Sequence, residues 1–262
     1  MPEPLTAKIR AYTASDEKQV RFMVGQAHME SLAYANKSTY LHPVTLAVWI
    51  GVSSVFAHYM KMWPNPEYGA LGWLQVLPAF FAPAVPVMFL IDWKNRPSVE
   101  DAAEKVLRRI DLLDIKPYYA RSPASGLWLL EYGDKIIGLI AVDASPDATF
   151  DEPVTQLSSE ELKTRLAKRG TSRVATIRHF FAEEAYRRAK IEDDLLQFAV
   201  ASTFKADRDV ELIRVQASPL RPAILSSIRR NKFSKEERAG TIGILGWEVN
   251  WYTLERAQWK DI

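Results

Sequence analysis

The chain has 262 residues, with 34 lysines and arginines against 32 aspartates and glutamates, and it contains no cysteine. The nearly balanced charge gives no indication of a nucleic-acid-binding protein. The absence of cysteine excludes disulfide bonds and cysteine metal sites. The four histidines are scattered without the spacing of metal ligands, so no metal site is predicted.

The first predicted elements are a strand and a helix. Residues 8–12 predict a short strand, and Ser15 with Asp16 forms an N-cap for the helix that follows. This helix carries apolar side chains on one face and is predicted to run to about residue 36.

Two long apolar stretches without acidic or basic side chains follow, at residues 38–60 and 68–91. Each is long enough to cross about 30 Å of hydrocarbon as a helix, and the short turn of residues 61–67 separates them. Tryptophan and tyrosine near their ends are typical of a membrane interface. We therefore predict a membrane hairpin, with a pair of buried core helices as the alternative. Three prolines in the second stretch leave open whether it crosses fully or dips in and out.

Basic residues predict the orientation of the hairpin. They flank it on both outer sides, whereas the connecting turn contains only Lys61. The positive-inside bias then places both termini and the remaining domain in the cytosol. Residues 1–38 are polar and charged, so no cleavable signal is predicted.

The rest of the chain alternates between strand and helix patterns. Two strand patterns around Gly133 and Asp134 predict a β-hairpin, and residues 145–159 are predicted to form a long loop. The predicted elements are a helix that Ser98 caps, the two hairpin strands at residues 126–132 and 135–143, strands at residues 173–181, 210–216 and 242–252, and helices that begin near Ile191 and at Pro222.

The order of these elements and their local sequences resemble the GNAT acyltransferase superfamily. Residues 126–143 (GLWLLEYGDKIIGLIAVD) are similar to its second and third strands, residues 175–200 (ATIRHFFAEEAYRRAKIEDDLLQFAV) to its acyl-CoA motif, and residues 221–237 (RPAILSSIRRNKFSKEE) to a later helix. The resemblance implies an α/β fold with a mixed central sheet flanked by helices. The implied organisation is a first strand and helix at residues 1–37, an inserted two-helix transmembrane hairpin at residues 38–92, and the remainder of the domain at residues 93–262.

The resemblance also implies an acetyl-CoA site, in which the pyrophosphate lies on backbone N–H groups between the central strand and its helix. The two small residues of the family pattern, which let the phosphate approach closely, are replaced by Lys190 and Glu192. The acidic residues Glu192, Asp193 and Asp194 would repel a pyrophosphate. We therefore expect a degenerate pyrophosphate loop, formed by Arg187, Arg188, Ala189, Lys190, Ile191 and Glu192.

The resemblance does not fix the catalytic residues. When the later helix is aligned on Phe233, Ile228 replaces the general-acid tyrosine of the family and Lys232 replaces its glycine. An ordinary structural role is the alternative for every side chain that remains. These candidates are Glu183, Glu184 and His179 as bases for an amine, and Tyr186 and Tyr252 as substitute acids.

The altered loop and the missing tyrosine favour a protein that has given up or changed catalysis. The chain also resembles a fungal endoplasmic-reticulum family that packages phosphate transporters for export. This resemblance implies an adaptor, assembly or packaging factor at that membrane, with membrane lipid and a transporter as partners through the hairpin. The alternatives are an acetyl-CoA-dependent N-acetyltransferase of lysine or N-terminal amines at the cytosolic membrane surface, and an acyl-CoA sensor.

Overall fold

A mixed sheet forms the centre of the protein. The computed structural model describes residues 6–64, 66–150, 155 and 157–259. Within these residues lie seven strands, β1 (Ala7–Ala11), β2 (Gly126–Tyr132), β3 (Lys135–Asp143), β4 (Val174–Ala182), β5 (Leu212–Ala217), β6 (Ser234–Ile242) and β7 (Trp247–Glu255). They pair in the order β1-β2-β3-β4-β5-β7-β6, and neighbours are antiparallel except for the parallel pair β4 and β5.

Helices cover both faces of the sheet. Within the described residues the α-helices are α1 (Glu17–Tyr40), α2 (Pro43–Tyr59), α3 (Leu77–Leu107), α4 (Ile110–Leu113), α5 (Ile115–Tyr119), α6 (Ser159–Ala167), α7 (Ile191–Ala206), α8 (Pro222–Arg230) and α9 (Arg256–Trp259). On one face, apolar residues of α7 and α8 pack on the strands, and on the other face α1, the end of α3, α4 and α5 do the same. The predicted mixed sheet flanked by helices is therefore confirmed.

The sheet opens between its two parallel strands. β4 pairs with β5 only from Val174 to Ile177, although β4 continues to Ala182. At the same place the ladder with β3 shifts register, because Ala141 faces His179 and Val142 faces Ile177. Arg178 is therefore an extra residue, or β-bulge, and such a residue bends its strand. The second half of β4 is left without a partner on the β5 side.

The two apolar stretches form helices that pack on each other. The indole Nε1 of Trp49 in α2 donates a hydrogen bond to the carbonyl of Phe80 in α3 at 2.8 Å. Length and composition qualify residues 71–107 as one helical segment that could cross a membrane. The pair α1 and α2, bent by 60°, would be a second span only if the two were counted together. The two-span membrane hairpin therefore stays a prediction.

The helix boundaries around this hairpin differ from those predicted. α1 runs to Tyr40, and a bend precedes α2, so residues 38–60 are not one helix. No new helix begins at Ser98, because α3 continues through Pro97. Pro97 lacks an N–H and cannot donate a backbone hydrogen bond within α3. Beside it, the Ser98 hydroxyl donates to the carbonyl of Asn95 at 2.8 Å.

Two elements late in the chain were not predicted correctly. The single strand expected at residues 242–252 is a hairpin, in which Gly243 and Gly246 adopt positive φ between β6 and β7. β6 has mostly exposed polar side chains and therefore lacks an apolar alternation. α6, which begins at Ser159, the last residue of the predicted loop, was missed. Residues 151–154 and 156 of that loop lie outside the described residues.

Gly138 in β3 allows α7 to pack closely on the sheet. A Cβ atom at this position would lie 2.6 Å from Cδ1 of Leu195, which is fully buried, and 3.2 Å from the carbonyl oxygen of Phe181. We expect Gly138→Ala to lower the free energy of unfolding by about 1–3 kcal/mol, because the site has no room for a methyl group. Urea unfolding of the detergent-solubilised chain measures this change.

The control for this variant is Gly240→Ala in β6, where a Cβ would meet nothing within 4 Å. Its free energy of unfolding should stay within about 0.5 kcal/mol of wild type. Equal stability of the two alanine variants would show that α7 does not pack on β3 as described.

Candidate functional site

A cavity of about 140 Å³ lies where β5 leaves β4. α1 covers it with His28 and Ser31, and Arg109 reaches it from the residue before α4. The strands contribute backbone and side chains from residues 176–178 of β4 and residues 216–218 at the end of β5. The bulge in β4 and the early end of its pairing with β5 therefore create the space.

A buried carboxylate beside the cavity holds the histidine of β4. The Nε2 atom of His179 lies 2.6 Å from Oδ2 of Asp111, and the hydroxyl of Tyr119 donates to the same oxygen at 2.9 Å. Because a carboxylate only accepts hydrogen bonds, Nε2 carries the proton. Nε of Arg178 is 3.2 Å from that oxygen. His179 does not line the 140 Å³ cavity but a separate space of about 20 Å³.

A second carboxylate continues this network away from the cavity. Oδ2 of Asp143 accepts from the hydroxyl of Tyr118 at 2.7 Å and lies 3.5 Å from Nη2 of Arg121 and 3.7 Å from Nη1 of Arg178. Arg121 also donates to Asp147 at 2.8 Å. Arginines and carboxylates thus alternate through the interior, so each charge has an opposite partner, as buried ions require.

These neighbours shift the pKa values in a consistent direction. Burial by itself would raise the pKa of the Asp111 carboxyl, but Arg178 and His179 outweigh it, and that pKa lies well below its usual range. Burial raises the pKa of the Tyr119 hydroxyl. Burial also lowers the pKa of His28 to about 3, with Arg221 as the next cause. Asp111 is therefore ionised and His28 neutral at physiological pH.

The predicted pyrophosphate loop, residues 187–192, spans the end of a short 3₁₀ segment, Glu184–Ala189, and the start of α7. Between the two, Lys190 has φ of 58°, the left-handed conformation that glycine adopts easily. The N–H of Lys190 donates to the carbonyl of Arg187 at 3.0 Å, and the N–H of Asp193 donates to the carbonyl of Lys190 at 2.8 Å. The turn into α7 thus keeps a glycine-like conformation, but the N–H groups of Lys190 and Asp193 donate within the turn and not to a ligand.

The acidic residues at the start of α7 bind another helix. Asp193 accepts from Nε and Nη2 of Arg230, at 2.7 and 3.0 Å, and Glu192 is buried with Oε1 3.2 Å from the same guanidinium. Arg230 ends α8, and Asp194 is exposed. Because Arg230 pairs with two of the three carboxylates and its positive charge offsets one of their negative charges, their repulsion of an anion is smaller than the sequence suggests.

Two arginines fill the route from this loop to the cavity. Nε of Arg187 donates to the carbonyl of Ala182 at 2.9 Å, and its guanidinium forms an ion pair with Glu30 of α1. The guanidinium of Arg221 donates to the carbonyl of Phe180, on the open side of β4. Both arginines line a space of only about 10 Å³, at most the room for one water molecule. The side chains as arranged here therefore leave no room for acetyl-CoA in this space.

The other predicted catalytic candidates lie away from the cavity. Glu183 accepts from Nζ of Lys135 at 2.7 Å, and Glu184 is exposed. Tyr186 contacts Tyr132, with ring centroids 5.8 Å apart. Tyr252 and Ile228 are buried in the core on the α7 face, Arg188 and Ala189 are exposed, Ile191 is buried, and Lys232 has φ of 61°.

Sequence reasoning missed four residues of the site, Asp111, His28, Arg178 and Arg221. One signal was available, because Arg178 and His179 are adjacent polar residues in a strand that is otherwise largely apolar. Two such side chains in a central strand require buried partners. Asp111 has no local pattern that marks it, since it lies 68 residues from His179.

Acid should destabilise the protein through His28. The pKa of His28 falls from 6.5 to about 3 on folding. Above pH 6.5 His28 is neutral in both states and does not make the free energy of unfolding depend on pH. Below pH 6.5 only the unfolded state binds the proton. We expect the free energy of unfolding to fall by up to about 1.4 kcal/mol per pH unit between pH 6.5 and about 5. Urea unfolding across this range measures the slope.

His28→Gln should remove this part of the slope, since the variant has no imidazole to protonate at that position. His58→Gln, at an exposed position near the end of α2, is the matched control and should keep the wild-type slope. Identical slopes for wild type and His28→Gln would contradict a depressed pKa of His28.

No family model matches the chain, and no curated protein matches it. Solved structures similar to it include a GNAT acetyltransferase from Staphylococcus aureus, with 10% identity and a TM-score of 0.45 over 95% of this chain and 99% of that one. Spermidine N-acetyltransferase from Vibrio cholerae, in complex with CoA and spermine, has 9% identity and a TM-score of 0.45 over 97% and 98%. A GNAT acetyltransferase from Desulfovibrio desulfuricans has 11% identity and a TM-score of 0.43 over 95% and 99%. These likenesses agree with the fold that the sequence resemblance implies and carry no argument about activity.

Proposed function

We propose that the chain is a membrane-anchored GNAT-fold adaptor that does not use acetyl-CoA at the family position. The observation that carries this proposal is the contact of the Arg221 guanidinium with the carbonyl of Phe180. Together with the ion pair of Arg187 and Glu30, it closes the route between the loop and the cavity. A cofactor entering from the loop would have to displace both arginines and expose the carbonyls that they bind.

The positions of the acid and base candidates also favour a role without catalysis. His179 is buried and held by Asp111, and Glu183 is paired with Lys135. Tyr252 lies in the apolar core between the sheet and α7. His28 does line the cavity and its pKa keeps it neutral. This neutral imidazole is the one observation that favours the alternative, an N-acetyltransferase at the membrane surface.

The α2–α3 hairpin supplies a surface for a membrane partner. Val55, Val85 and Phe89 are exposed by 67–71%, and a groove of about 220 Å³ between the helices is lined by apolar side chains that include Trp49 and Ala84. Small residues let another helix approach closely in lipid. The proposed partner is a helix of a membrane transporter. From the resemblance and the flanking basic residues, we place the chain in the endoplasmic reticulum membrane with both termini and the domain cytosolic.

Acetyl-CoA binding tests the loss of the cofactor site. Calorimetry on the full chain in detergent should detect no binding to wild type at concentrations up to about 1 mM, since the route to the cavity is closed. The triple variant Lys190→Gly, Arg187→Ala, Arg221→Ala should recover measurable binding, because it removes both arginines from the route and restores the glycine. Micromolar binding by wild type would overturn this proposal in favour of the enzyme.

Purification in mild detergent tests the adaptor role. A polytopic transporter, identified by mass spectrometry, should co-purify with the wild-type chain in near-equal amount. Ala84→Leu, which fills the groove, should reduce its recovery at least several-fold, whereas Ala82→Leu, at an exposed position outside the groove, should not. Recovery of the chain alone from gentle solubilisation would contradict a stable adaptor complex.

A further inference from the structure

Three arginines reach the 140 Å³ cavity, Arg109, Arg178 and Arg221. Among the described residues that line it, none is an aspartate or a glutamate, and apolar side chains such as Val106 and Val249 form part of the wall. Arg178 is buried, whereas Arg109 and Arg221 are half-buried. Guanidinium groups bind carboxylate and phosphate groups with paired hydrogen bonds.

Among the described residues, one of these arginines has no carboxylate within ion-pair distance. Arg178 lies within 3.7 Å of both Asp111 and Asp143, so its charge is compensated. For Arg221, the described part of the chain provides one hydrogen-bond acceptor, the carbonyl of Phe180, and no carboxylate within 4.0 Å. Glu30 attracts Arg221 but is bound to Arg187. Most donors of the Arg221 guanidinium therefore remain for a ligand.

Neutral donors complete the lining. The hydroxyl oxygen of Thr176 accepts from Nε of Arg214 at 3.1 Å, and that of Ser218 accepts from the N–H of Leu220 at 3.3 Å. A hydroxyl that accepts within the protein keeps its own proton to donate. Both residues line the cavity, so their hydroxyl groups can donate hydrogen bonds to a ligand beside Arg221.

The size of the cavity limits the ligand. A cavity of about 150 Å³ in another protein holds benzene, which has six non-hydrogen atoms. The 140 Å³ here therefore suits a phosphate, a sulfate or a small carboxylate. The charge excludes an amine, because an ammonium group would lie beside like charges that water screens poorly.

We propose that this cavity binds a small oxyanion, with Arg221, Ser218 and Thr176 as its principal donors. The protein would then respond to the concentration of a free anion, a property that is independent of the proposed adaptor role and of acetyl-CoA. Phosphate, sulfate and carboxylates share the chemistry that the cavity recognises.

Calorimetry on the full chain in detergent and anion-free buffer tests this site. We expect inorganic phosphate to bind at a ratio of one to one with a dissociation constant below about 1 mM. Sulfate and acetate, titrated separately, distinguish a phosphate-type site from a carboxylate site. Methylammonium, which has the opposite charge, should not bind.

Variants locate the binding. Arg221→Gln should weaken anion binding at least tenfold, and Ser218→Ala should weaken it several-fold without removing a charge. Arg208→Gln, at an exposed position outside the cavity, is the charge-matched control and should bind like wild type. Thermal unfolding of each variant verifies that it is folded.

Two results would overturn the proposal. One is that none of the three anions binds to wild type. The other is that folded Arg221→Gln and Ser218→Ala both bind as tightly as wild type, which would place the anion elsewhere.

Discussion

Burial of the Arg178 guanidinium is the constraint on which one half of the sheet depends. Taking such a charge out of water costs several kcal/mol unless anions and acceptors surround it. Asp111 and Asp143 supply the anions, and the carbonyls of Ala148 and Phe150 accept two of its N–H groups. The short helix α4 and the segment after β3 are therefore held in place by one side chain. The bulge that Arg178 creates also separates β4 from β5 and leaves room for the cavity.

Residues at or near the cofactor position that the family resemblance implies are used here for internal contacts. Lys190 keeps the left-handed turn at the start of α7, while Asp193 joins that helix to Arg230 of α8. Arg221 binds the strand carbonyl beside the opening. Each contact stabilises the closed loop, so an architecture associated with cofactor binding is retained with different side chains inside it. In this chain the fold therefore does not determine the chemistry of the site.

Local patterns account for what could be predicted from the sequence. The β2–β3 hairpin was predicted with correct boundaries, because apolar strands flank a turn at Gly133, which has φ of 59°. β6 was missed because its side chains are polar and its place at the sheet edge needs no apolar face. His179 was identified as a candidate from its strand. Its partner Asp111 was not, since only tertiary packing brings a short helix to that strand.

A polar cluster joins the apolar hairpin to the far edge of the sheet. The fully buried amide of Asn95 in α3 donates to Asn36 of α1 at 3.0 Å and accepts the N–H of Ile244, between β6 and β7, at 2.9 Å. Asn36 in turn donates to Asp92 at 2.6 Å. α3 therefore cannot rotate or slide against α1 without breaking hydrogen bonds of buried amides. The three elements are therefore coupled, and because Ile242 of β6 also lines the cavity, a movement of α3 against the sheet would displace part of the cavity wall.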